Sequence, residues 1–138
     1  MPRNNSLYPF DWLRIARKDL ERVNRLLEAN DPEAAGFFLQ QAVEKFLKAF
    51  LLYNGWKLQR VHDLEVLLNE ALTHEASFEQ FRAACQRITQ FYMSDRYPLV
   101  SHGALREDDV RRSLNEVIGL VERIEKELAS ISGNSGKT

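Results

Sequence analysis

The stretch PEAAGFFLQQAVEKFLKAFLLYNG, residues 32–55, decides the fold of this chain. Ala35, Phe38, Leu39, Ala42, Phe46, Ala49, Phe50 and Tyr53 recur at three- and four-residue steps, so they share one side of a helix. Val43, Leu47 and Leu51 widen that side, and a helix with so broad an apolar arc has to touch neighbours in more than one direction. It is therefore expected at the centre of a helical domain. Asp31 suits the N-cap, Pro32 suits the first helical position, where no amide partner is lost, and Gly55 supplies the left-handed residue that commonly closes a helix.

Before this segment, Asp11 is positioned to cap a helix ending near Ala29, with Trp12, Ile15, Ala16, Val23, Leu26 and Leu27 as its apolar stripe. After it, a polar connector from Trp56 to Val61 leads into a short helix from about Asp63 to Leu72, with Leu64, Leu67, Leu68 and Ala71 in register. Ser77 and Gln80 have capping-box spacing for a further helix, whose inner stripe is Phe78, Phe81, Cys85, Ile88 and Tyr92. Pro98 ends that helix and makes Arg96 to Leu105 a loop. The last helix begins near Glu107, whose acidic neighbours suit the positive end of the helix dipole. Its Val110, Leu114, Val117, Val121, Ile124, Leu128 and Ile131 form a heptad seam that packs along the bundle or against a second chain. The expected architecture is all-α: an up-and-down bundle of four long helices and one short one, in a single domain over residues 1–131, with a flexible tail over 132–138.

Composition agrees with this and removes several classes of function. The 138 residues are 44% hydrophobic and 28% charged with 6 Gly and 4 Pro, which suits one globular helical domain rather than a disordered or loop-rich chain. The longest charge-free apolar run, Ala49 to Tyr53, falls far short of the roughly 18 to 20 residues that cross a bilayer. The first residues, Met1-Pro2-Arg3-Asn4-Asn5-Ser6, have no apolar segment behind them, so a cytoplasmic protein without membrane contact is expected. Cys85 is the single cysteine, and no Cys/His spacing suggests zinc; no metal and no cofactor are expected. A net charge of -1 excludes general phosphate neutralisation as a mode of binding, so any nucleic-acid contact must be local. Arg14, Lys18, Arg22 and Arg25 share one face of the first helix, and a solvated charged face is the default reading there over a phosphate track.

No P-loop, dinucleotide-binding glycine pattern, zinc-protease helix, nucleophile elbow or EF-hand loop is present in the sequence. His62 stands at the start of the short helix, where it hydrogen-bonds the helix start or lines a cleft; structural service is the default reading. His74 is assigned no role. Arg96 and His102 lie six positions apart, close enough for both side chains to face one site. Imidazole, with a pKa of about 6.5, serves as base and then as acid near neutrality, and guanidinium grips phosphate through paired hydrogen bonds. Together they are a minimum set for metal-free RNA cleavage through the 2'-hydroxyl, with Arg96 and His102 as catalytic pair and DNA excluded as substrate; on these two residues alone an ordinary surface loop is the default reading.

Phe38-Leu-Gln-Gln-Ala-Val-Glu-Lys-Phe-Leu-Lys-Ala, then His62-Asp-Leu, then Phe91-Tyr-Met-Ser-Asp-Arg-Tyr-Pro, together with Trp12 through Leu20, resemble the HEPN domain family in order and spacing, from about residue 8 to residue 130. The resemblance implies an all-α bundle that dimerises and is often encoded beside a minimal nucleotidyltransferase in a two-gene, toxin–antitoxin-like module. In ribonucleolytic members an Arg and a His separated by four to six residues meet in a dimer cleft, and Arg96 and His102 match that pattern. The chain departs from it at Tyr97 and Pro98, where those members favour a small polar residue. Many relatives with the Arg-Tyr-Pro form have no following His, and for these the resemblance implies binding of nucleotides or a partner instead of RNA cleavage, in which case His102 is incidental. A second departure is Val61, where relatives often have Thr; Asp63 is then the substitute helix cap. Two readings result. The first is a homodimeric binding module that partners a nucleotidyltransferase and holds a nucleotide, using Gln41, Lys45, Lys48, His62, Arg96 and Tyr97. The second is a metal-independent endoribonuclease toxin using Arg96 and His102. A purely structural bundle is the third.

Overall fold

The computed structural model describes residues 7–96 and 105–137, with side chains described over 7–91 and 105–129. It is an all-α bundle of four long helices and one short one: α1 (Pro9–Glu28), α2 (Pro32–Tyr53), α3 (Leu64–Leu72), α4 (Arg82–Arg96) and α5 (Glu107–Lys137). A 3-10 segment, Ala76–Phe81, precedes α4. Among the described residues there is no strand, and no helix is long and apolar enough to cross a membrane.

α2 is the central element and packs against all four other helices. Phe46, Leu39, Leu47 and Leu51 are fully buried, along with most of its length. Its ends follow the local chemistry of the sequence. The Asp31 carboxylate accepts from the Ala34 amide at 3.2 Å, and Gly55 takes a φ of 90° just past the end. Asn30 is also left-handed, with a φ of 60°, and turns the chain from α1 into α2. The α3 start is capped by Asp63, whose carboxylate accepts from the Glu65 amide at 2.8 Å, the substitution expected from Val61.

Two local expectations are corrected. Asp11 does not cap α1; the helix starts three residues earlier than that cap implies, at Pro9, whose fixed φ suits the first turn, and Asp11 instead receives Arg14 at 3.1 Å. Ser77 and Gln80 form no capping box. Ser77 donates to the Glu75 carboxylate at 2.6 Å and Gln80 donates to the Ser77 carbonyl at 3.0 Å, inside a 3-10 turn. The tighter turn eclipses residues three apart, which lets Phe78 and Phe81 both enter the core. Gln40, Glu44 and Lys48 of α2 are buried as well.

The α5 seam packs within the bundle: Val110, Val117, Val121, Ile124 and Leu128 are buried in the single chain. Arg17 of α1 grips Glu125 of α5, with its Nε 2.7 Å from Oε2, and Arg87 of α4 pairs with Glu116. The helical form of α5 continues to Lys137, past Ser132, where a tail is expected from the sequence. On α1, three members of the basic stripe are held by carboxylates: Arg14 by Asp11, Arg22 by Asp19 and Arg25 by Glu21. This is the arrangement of a solvated charged face rather than of a phosphate track.

Candidate functional site

Where α1 and α2 meet, the connector after α2 returns over their surface and closes a cavity of about 510 Å³. Trp12 contributes from α1; Gln41, Glu44, Lys45 and Lys48 contribute from α2; Leu58, Gln59, Arg60 and His62 contribute from the connector. The four α2 residues share a face because they lie three, four and seven positions apart along it. Burying such a face would normally be costly, and the side chains meet that cost by satisfying one another.

Glu44 is the hub. Its carboxylate accepts from Lys48 Nζ at 2.9 Å and from Gln40 Nε2 at 3.1 Å, and His62 Nδ1 stands 3.2 Å from each of its oxygens. Gln40 also donates to the His62 backbone carbonyl at 2.8 Å, so both the ring and the main chain of His62 are fastened to α2. The imidazole is 56% exposed, which places it at the cavity mouth while Glu44 forms the floor. His62 thus lines a cleft, and the helix start it precedes is served by Asp63 and by Thr89, whose hydroxyl accepts from the Leu64 amide at 3.1 Å.

A second arm runs to α1. Gln41 donates to Gln40 Oε1 at 2.7 Å and accepts from Lys45 Nζ at 3.3 Å. Lys45 Nζ then reaches Asp19 Oδ2 at 2.6 Å, and Arg22 takes the other Asp19 oxygen at 2.6 Å. Lys48 Nζ lies 5.3 Å from the centroid of the Trp12 ring, in reach of its negative face. The result is a polar chain from the surface of α1, through the bundle, to the connector. Every charge buried in it has an opposite charge against it, which is the condition for tolerating ions in a core.

Four of the residues assigned from sequence to nucleotide or partner binding, Gln41, Lys45, Lys48 and His62, are brought to this one cavity. Arg96 is the last residue of α4; Tyr97 and His102 lie outside the described residues, as does the loop expected around them. The cavity also involves Asp19, Trp12 and Arg60, to which the sequence assigns no site role. Asp19 carried a legible signal: it falls in step with Trp12, Ala16, Val23 and Leu27 on the buried side of α1, so a carboxylate stands where an apolar residue belongs. Trp12 stands on the apolar stripe of α1 as a core residue would, and Arg60 lies in a connector without periodicity. Among the described residues no group of three His, Cys, Asp or Glu could hold a metal ion.

A family model described as the HEPN domain matches residues 10–128, a span that contains every residue lining the cavity. No curated protein matches the chain. Among solved structures, the chain is similar to the crystal structure of TT1696 from Thermus thermophilus, with a TM-score of 0.77 and 24% identity. The match covers 86% of this chain and 96% of that one, and it shows a shared fold.

Proposed function

The chain belongs to the HEPN domain family, and on that premise we propose that it is a cytoplasmic binding module. In this reading it dimerises, partners a minimal nucleotidyltransferase in a two-gene, toxin–antitoxin-like module, and holds a nucleotide between α1, α2 and the connector. The observation that carries the reading is the cavity where Gln41, Lys45, Lys48 and His62 converge. Its volume falls in the range of about 300 to 1,000 Å³ usual for small-molecule pockets. An aromatic ring, three cations, amides and an imidazole around one opening supply contacts for a base, a sugar and a phosphate. The homodimer rests on family membership and not on the α5 seam, which is occupied within the chain.

Isothermal titration with nucleotides tests the reading, with Lys45→Met and Lys48→Met as controls that keep the side-chain volume and remove the charge. Binding that both variants weaken supports it, and binding unaffected by either places the ligand elsewhere. Sedimentation is expected to give about twice 16.1 kDa. The endoribonuclease reading is tested with the same preparation by incubation with RNA in EDTA. A binding module leaves the RNA intact and is indifferent to His102→Ala. Cleavage to 2',3'-cyclic phosphate ends that His102→Ala and Arg96→Ala both abolish would replace the binding module with the ribonuclease.

A further inference from the structure

We infer that the cavity selects a nucleotide carrying a single phosphate, a nucleoside monophosphate, against the di- and triphosphates of the same nucleoside. This rests on the nucleotide-binding reading and adds the charge class of the ligand. Three cations line the cavity, but two of them are already committed. Lys45 is held at 2.6 Å by Asp19 and Lys48 at 2.9 Å by Glu44, and both carboxylates are buried, at 2% and 3% exposure. Arg22, on the second Asp19 oxygen, lies outside the lining. Arg60 is the lining cation that, among the described residues, has no carboxylate against it.

A phosphate seated at Arg60 meets one uncompensated positive charge. An ammonium has three hydrogens, and Lys45 gives two of them to Asp19 and Gln41, while Lys48 gives one to Glu44 and turns toward the Trp12 ring. Each lysine therefore retains a donor for a ligand oxygen without leaving its carboxylate. Further phosphates have no such provision. Once the spare lysine donors are taken, they draw a lysine off its carboxylate, stranding a buried anion, or crowd the Glu44 carboxylate, which repels them. The two carboxylates thus act as positioning residues for the lysines and as a limit on ligand charge.

The test is a ladder of mono-, di- and triphosphate titrated into the wild-type protein, for adenosine, guanosine and uridine, at fixed ionic strength and in EDTA so that no cation masks the phosphates. The monophosphate is expected to bind about tenfold tighter than the triphosphate or more, the scale of one charge-assisted hydrogen bond. Arg60→Gln is expected to weaken monophosphate binding by a similar factor. Asp19→Asn, which releases Lys45, should narrow or reverse the preference. Triphosphate binding as tight as or tighter than monophosphate in the wild type overturns the inference while leaving nucleotide binding in place. Failure of all three series to bind overturns the nucleotide reading and this inference with it. The wild-type ladder decides between these outcomes even where a variant fails to fold.

Discussion

Lys45 Nζ of α2 lies 2.6 Å from Asp19 Oδ2 of α1, a contact between side chains 26 positions apart that joins the two helices beneath the cavity. Asp19 is buried and serves both Lys45 and Arg22, so its loss leaves two cations without their anion. Removing one partner of a buried pair costs about 3 to 5 kcal/mol, and the partial exposure of Lys45 and Arg22 reduces this to about 2 to 4 kcal/mol. Asp19→Ala is expected to lower the unfolding free energy by that amount. In a double-mutant cycle, Asp19→Ala with Lys45→Met should be less destabilised than the sum of the two. Strict additivity would mean that the short contact carries no coupling energy.

Phe46 is fully buried on α2, the helix that packs against all the others. Truncation of a core Phe to Ala costs about 3 to 5 kcal/mol through lost transfer energy and the cavity left behind. Phe46→Ala should lower the melting temperature by about 10 °C or more. A shift of a degree or two would mean that the helix is rotated from the orientation described.

Gly36 of α2 has no room for a larger residue. A Cβ built there would overlap Leu105 Cδ2 and lie 3.3 Å from Phe91 Cβ. The end of Leu105 can swing aside, but Phe91 Cβ is fixed to the α4 backbone. Ala gains about 1 kcal/mol over Gly in helix propensity, and overpacking costs about 1 to 3 kcal/mol, so Gly36→Ala should be destabilising by about 1 kcal/mol. The urea midpoint is expected to fall with an unchanged slope. A raised midpoint would show that the neighbours yield at no cost.

Burial pushes the Cys85 thiol up to about 12 from an ordinary 9.0. At pH 8 the native protein should resist a thiol-specific disulfide reagent and react stoichiometrically once unfolded in denaturant. The same shift has a consequence for stability. Between pH 9.0 and about 12 the folded chain keeps the thiol proton and the unfolded chain releases it, so the unfolded state binds fewer protons and stability falls as pH rises. The contribution is fully present below pH 9.0. Cys85→Ala should lose this part of the alkaline decline, and an identical decline in the two proteins would exclude it.

The helices, their order and most of their ends were determined by the sequence itself, because each depends on residues a few positions apart. Asp31, Asp63 and Gly55 act on amides and carbonyls within one turn, and the stripes of α2, α4 and α5 follow from 3.6 residues per turn. The misplaced start of α1 and the 3-10 turn at Ser77 show where two local signals competed: Pro9 outweighed Asp11, and the joint burial of Phe78 and Phe81 outweighed a capping box. What periodicity does not specify is whether a face meets water or another helix. Gln41, Lys45 and Lys48 read the same in either case, and so does the α5 seam, which only the packed bundle assigns to its own core. Tertiary structure alone brought Asp19 under Lys45 and folded the connector back so that His62 closes on Glu44. Those contacts join residues that are remote in the chain, and they form because a buried ion is stable only against its counter-ion, a condition that the whole arrangement of helices has to meet at once.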